Sequence, residues 1–219
     1  MTDVNKEFWQ VILDRRSIRK YEDKPISEED IKIIMESARQ APSGENAQPW
    51  RFIIVKDQES KDFLSYVGKG GSGRRFTGEY LSKHMQTRFE ALEDEEKKRK
   101  AFKKLTSGNV SAFVNQAHMD ILVLGKKEVW DAPFDTSAAI QNMLLTVTSL
   151  GLGACWLVAP TIDIRDELRM KNYFEIPEEY KLYAIIAVGV PGEVKNPRPR
   201  IPLNELVYSE KFGEEYYKE

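Results

Sequence analysis

Three arginines and a serine fall within five residues in Arg15-Arg16-Ser17-Ile18-Arg19. A guanidinium keeps its charge and presents its N–H donors as a rigid fork, so this cluster suits a phosphate or the electron-rich edge of a ring. Taken alone it reads equally well as a solvated helix end, because cations in a last turn complement the helix dipole. A second segment, Ala41-Pro42-Ser43-Gly44-Glu45-Asn46-Ala47-Gln48-Pro49-Trp50, supplies neutral donors and acceptors and runs directly into the strand-like Arg51-Phe52-Ile53-Ile54-Val55. On its own, a Pro-Ser-Gly stretch is an ordinary turn. A third group, Arg198-Pro199-Arg200-Ile201-Pro202, sets two arginines between prolines, which fix φ and remove backbone donors.

The elements that must carry these groups follow from periodicity and capping. Phe8, Trp9, Ile12 and Leu13 recur at helical spacing, so a first helix ends near the arginines, which continue as an extended stretch toward Tyr21. Ser27 reads as an N-cap with Glu28, Glu29 and Asp30 in the first turn, and the stripe Ile31, Ile34, Met35, Ala38 defines a helix that Pro42 terminates. A short helix is expected around 58–67, followed by Gly68-Lys69-Gly70-Gly71-Ser72-Gly73. That run lacks the Gly-Lys-Ser/Thr ending and the preceding strand of a phosphate loop, and its four glycines predict a mobile hinge. Beyond it, Leu81, Met85, Phe89 and Leu92 form the apolar face of one charged helical segment, in which Glu93/Lys97, Asp94/Lys98, Glu95/Arg99 and Glu96/Lys100 are i,i+4 pairs. The second half reads as strand 120–124, helix 135–150, a left-handed cap at Gly151, strand 154–158, a further helix and a last strand 182–190.

Composition bounds what such a chain can be. Its 219 residues, 41% apolar and 11% aromatic, can bury one full core, and a single domain over 1–219 is expected. A formal charge of −2 leaves no basic footprint for nucleic acid. No apolar run approaches the ~20 residues of a membrane span, and Met1–Glu7 lacks a signal-peptide pattern, so a cytoplasmic protein is expected. One cysteine, Cys155, excludes an internal disulfide or a multi-Cys metal site, and with two histidines, His84 and His118, no metal centre is expected.

In this order and at this separation, the Arg15–Arg19 run and the Ala41–Trp50 segment resemble the FMN-dependent nitroreductase family, whose signature is R-R-S-x-R followed by A-P-S-x-x-N-x-Q-P-W. The order Asp135, Gln141-Asn142, Gly151-Leu152-Gly153, Cys155-Trp156 and the basic Arg198–Pro202 segment continue the likeness. The resemblance implies an α+β fold, a mixed sheet flanked by helices, in an intertwined homodimer with swapped terminal segments and FMN at its interface. It further implies that Arg15, Arg16 and Ser17, with Arg198 and Arg200, surround the phosphate and ribityl chain. Arg19 takes the catalytic role, at the flavin N1/O2 edge, where reduction leaves negative charge. Pro42, Ser43, Gly44 and Asn46 would reach the cofactor from the second subunit, and Trp156, Leu157, Val158 and Ala159 would pack over or beside the ring. Gln141 is either a further cofactor contact or a hydrogen-bonded core amide. Residues 68–115 would form a variable, lid-like region shaping substrate access, and residues about 191–219 an arm lying across a partner.

The activity so implied is an NAD(P)H-dependent oxidoreductase in which the cofactor carries the chemistry and the protein supplies orientation, stacking and charge. A ping-pong cycle with nitroaromatic or quinone acceptors follows, the nicotinamide entering the substrate pocket. Three alternatives stand beside it. A reductive dehalogenase related to iodotyrosine deiodinase would need acidic and aromatic lid residues, with Glu79, Tyr80 and Glu90 as candidates. A flavin-binding module would hold FMN without turnover. A Cys155-dependent enzyme is disfavoured, because the thiol sits in an apolar strand with no histidine nearby in sequence.

Overall fold

The computed structural model of the chain describes residues 8–217, so the Met1–Glu7 segment read above lies outside the described residues. In order, the elements are α1 (Phe8–Asp14), α2 (Glu28–Arg39), β1 (Trp50–Val55), α3 (Gln58–Glu79), α4 (Lys83–Glu90), α5 (Glu95–Thr106), β2 (Met119–Lys126), α6 (Ala132–Ser149), β3 (Gly153–Leu157), α7 (Ala159–Ile162), α8 (Ile164–Tyr173) and β4 (Tyr180–Gly189). Short 3₁₀ turns occupy Gly44–Asn46, Asn109–Gln116 and Leu203–Glu205.

The strands form one sheet in the order β1-β2-β4-β3, with helices on both faces. Alternation along β2 divides the core. Met119, Ile121 and Val123 meet α2 and α6, while Leu122 and Leu124 join Leu64, Val67, Phe113, Val114 and Met170 on the other side. The fold is therefore α+β, as expected, but the sheet is not mixed: every named strand pair is antiparallel. Parallel pairing is confined, among the described residues, to the Ser17–Ala154 bridge.

Local signals predict the helix ends well. Ser27 Oγ accepts from Asp30 N, capping α2 at 3.0 Å. At the other end of the central helix, Gly151 takes φ +75°, its N–H bonding Thr148 O while Leu152 N–H reaches Val147 O, which satisfies the last carbonyls of α6.

Two expectations fail in the middle of the chain. The glycine run is no hinge: α3 passes through it, capped by Asp57, and buries Leu64, Val67, Gly68, Gly71 and Ser72 along one face. The glycines serve close approach. A Cβ on Gly71 would lie 2.9 Å from Ala159 O, and one on Gly73 would lie 2.8 Å from Thr106 O. Likewise, the charged segment is not one helix. Asp94 accepts from Glu96 N and Lys97 N, which starts α5 afresh and lets Phe102 fold back edge-on to Tyr80 and Phe89. Of the expected i,i+4 pairs, Glu96–Lys100 forms at 2.6 Å, whereas Lys97 and Lys98 turn to Asp94 and Glu95 at i,i+3.

Candidate functional site

The arginine run lies along the outer edge of the sheet. Ile18 N–H donates to Ala154 O on β3, Glu22 N–H donates to Val190 O beyond β4, and Gly192 N–H returns a bond to Lys20 O. An extended strand alternates its side chains, so Arg15 and Ser17 face one way while Ile18 is buried. Together with Arg200 from the C-terminal segment, Gln141 and Leu144 from α6, and Ala154 and Trp156 from β3, they line a cleft of about 380 Å³ that Ile12 closes from α1.

This cleft is cationic. Among the described residues no Asp or Glu lines it. Burial, and after it the facing Arg200 guanidinium, hold Arg15 below the usual arginine range. Two guanidiniums, a hydroxyl and a carboxamide converging beside an indole make a donor set for a polyanionic group joined to a flat ring. Gln141 is exposed toward this cleft, which removes the core-amide reading. Its neighbour Asn142 is the structural amide, donating to Ser37 O and tying α6 to α2.

Other candidates stand apart from the cleft. Arg16 turns back onto α1, donating to Leu13 O at 2.5 Å and Arg15 O at 2.9 Å. Arg19 points elsewhere, its guanidinium 5.9 Å above the Phe113 ring. Its backbone N–H donates to Glu193 Oε1 at 2.7 Å. Although burial pushes Glu193 up, the bonds from Arg19 N and Lys195 hold its carboxyl below the usual range. Arg198 is exposed and does not line the cleft. Leu157 is buried in the second core, and Ala159 opens α7 against Gly71, so Trp156 is the member of that group brought to the cleft. Cys155 is buried, and burial raises its thiol above the usual range despite the nearby Arg19, Lys195 and Arg15.

The Pro42–Gln48 loop is elsewhere again. Gly44 N–H donates to Asp135 Oδ1 at the start of α6, whereas the cleft uses Gln141 and Leu144. Gln141, the nearer of the two, stands six positions along α6 from Asp135, about 9 Å along the axis. Glu45, Asn46 and Gln48 take φ of 52°, 57° and 45°, the left-handed region. Ser43 Oγ accepts from Gln48 N, and Asn46 Oδ1 from Gln48 Nε2, so the polar side chains organise the loop itself.

Sequence reasoning missed Glu193, the anchor of Arg19, and Phe113 beneath its guanidinium. Both act through contacts made far along the chain, which no local spacing announces. It also passed over Tyr21, whose hydroxyl lies within hydrogen-bond distance of Ile18 O and Ala187 O and links the arginine segment to β4.

The sequence model of the Nitroreductase family matches residues 12–190. A protein of Archaeoglobus fulgidus, provisionally named an NADH dehydrogenase/NAD(P)H nitroreductase, is 33% identical over 196 residues, covering 87% of this chain and 89% of its own. The iodotyrosine deiodinase of Thermotoga neapolitana is 28% identical over 205 residues, 92% of this chain and 96% of that protein. In fold, the chain is similar to an FMN-dependent nitroreductase from Clostridium difficile, with a TM-score of 0.68, 24% identity, and coverage of 92% of this chain and 98% of the other.

Proposed function

We propose, from the premise that this chain belongs to the Nitroreductase family, that it is an FMN-dependent oxidoreductase that uses NAD(P)H to reduce nitroaromatic, quinone or similar acceptors by a ping-pong cycle. The observation that carries this reading is the cleft, without a carboxylate among the described residues, in which Arg15, Ser17, Gln141, Trp156 and Arg200 converge. Its donors fit a phosphate, and its indole fits the edge of a ring system. Bound FMN would supply the redox chemistry, accepting hydride from reduced nicotinamide and passing electrons on. The chain's own residues then have defined tasks. Arg15, Ser17 and Arg200 hold the phosphate end, with Arg198, exposed two residues before Arg200, as an outer positive charge; Arg16, occupied at the end of α1, supports Arg15 from behind. Trp156 borders the ring, and Arg19, its backbone N–H held by Glu193 and its guanidinium over Phe113, sets positive charge at the N1/O2 edge.

A second copy of the chain would complete the site. The separation of the Pro42–Gln48 loop from the cleft along α6 supports a loop that serves the partner's cleft. Apolar side chains left outside support it too: Phe8, Trp9 and Leu13 on α1, Trp130 and Phe134 at the start of α6, and Phe212 on the C-terminal arm are all exposed.

One further observation favours the dehalogenase variant of this chemistry. Tyr80 and Glu90 come together with Phe89, Phe102, Lys98 and Arg99 around a pocket of about 420 Å³, although Glu79 is spent on Arg75. Halide release from a halogenated tyrosine, set against reduction of a nitroaromatic, separates the two acceptor classes.

The reading is tested by the absorption spectrum of the purified protein and by the identity of the flavin released from it. Arg200→Ala should weaken FMN binding about 10- to 100-fold, since a charge-assisted hydrogen bond contributes roughly 1.5–3 kcal/mol. A protein that stays colourless and quenches no FMN fluorescence on reconstitution would end the proposal.

A further inference from the structure

We propose that Asp135 is a positioning residue for the Pro42–Gln48 loop, its carboxylate receiving the Gly44 amide and so fixing the backbone that offers Ser43 and Asn46 to the cofactor. This rests on the reading above that the loop contacts FMN.

Asp135 is only 6% exposed, in the first turn of α6. Its Oδ1 accepts from Gly44 N at 3.1 Å. The other oxygen, Oδ2, is buried and has no hydrogen-bond partner among the described residues. A carboxylate held inside with half its acceptors unused is costly packing, offset in part by the positive end of an 18-residue helix. The bond it does make goes to the loop apex. One turn earlier, Asp131 lies against the same residue: its Oδ2 is 2.7 Å from where a Gly44 Cβ would sit, so a larger residue there would have to displace that side chain.

The loop needs such a tether. Glu45, Asn46 and Gln48 carry left-handed φ without being glycine. Conformations of this kind persist where surrounding structure over-determines them. Asn46 N→Ser43 O, Ala47 N→Gly44 O and Gln48 N→Ser43 Oγ close the loop on itself. None of those bonds says where the loop points. Gly44 N→Asp135 does, because it ties the apex to the first turn of α6, a fixed point of the fold.

The test compares Asp135→Ala with Asp135→Asn by two readouts: FMN affinity by fluorescence titration, and hydrogen exchange of residues 43–48 in the FMN-free protein. Asp135→Ala should speed exchange in that segment and weaken FMN binding on the order of tenfold. Asp135→Asn, whose amide oxygen can still accept from Gly44 N, should restore both to within about threefold of the natural protein. Unchanged exchange in Asp135→Ala overturns the proposal, as does an equal loss in both variants that tracks a fall in thermal midpoint, the mark of a plain core residue. Faster exchange with unaltered FMN affinity would overturn instead the loop's contact with FMN, and Ser43→Ala and Asn46→Ala with natural affinity would establish that failure independently.

Discussion

Asp120, the second residue of β2, is fully buried, with neither carboxylate oxygen hydrogen-bonded among the described residues. Burial raises its pKa well above the ordinary carboxylate value, and the Lys61 ammonium, which donates to Ala117 O, pulls only weakly the other way. A folded-state pKa above the unfolded one means that the native state holds a proton the unfolded chain releases. Stability from this group is therefore complete below about pH 4 and is lost as pH rises toward the folded value. Asp120→Asn removes the titration, so its stability relative to the natural protein should grow from pH 5 to pH 8 in urea unfolding; a difference independent of pH would mean that Asp120 is ionised in the fold. Arg19 makes the second prediction at this scale. Arg15 and Arg200 share the cleft, whereas Arg19 is held apart over Phe113. Arg19→Gln on fully FMN-loaded protein should shift the midpoint potential negative, by about 30 mV for each 1.4 kcal/mol of lost stabilisation of the reduced flavin. A potential constant within about 10 mV, with weaker FMN retention alone, would return Arg19 to the phosphate group. Where each arginine points was only half legible in the sequence. The run announces a donor cluster, but the direction of each side chain depends on where the segment docks on β3, a contact made with Ala154 far down the chain.

Among the elements, α3 separates the two meanings of glycine. Gly71 and Gly73 are pressed against Ala159 O and Thr106 O, while nothing lies within 4 Å of a Cβ placed on Gly78. Gly71→Ala should therefore cost about 1–3 kcal/mol through overpacking. Gly78→Ala in the same helix should be neutral or stabilise by up to about 1 kcal/mol, since alanine loses less backbone entropy. Thermal midpoints of the two variants check this, and equal effects would deny the packing role. The pair also explains what the sequence could tell. Ser27, Gly151 and the strand alternations are local signals, and the structure keeps them. The glycine run looks like a hinge because nothing within it reveals that α7 and the end of α5 press on it. The break before α5 was written in Asp94, whose side chain competes for backbone donors, but the acid–base pairs around it masked the cap.

For the whole molecule, the proposed pairing of two copies carries the main prediction. Trp9→Asp with Leu13→Asp, on the exposed face of α1 beside a cleft that Ile12 closes, should leave a monomer in sedimentation and release FMN in the same step. A monomer that keeps FMN at natural affinity would assign the site to one chain. At this scale the fold was readable, because the order of helices and strands needs only periodicity, whereas the expected mixed sheet was not, since strand direction is settled by pairing across the chain. The docking of the arginine segment on β3 has one more consequence. β3 ends the sheet, and an uncovered end strand offers its amides and carbonyls to any other chain. Ile18 N–H takes up Ala154 O, so the segment that carries the arginines also shields the sheet from self-association; a chain shortened past Arg19 should turn cloudy on refolding before any question of activity arises.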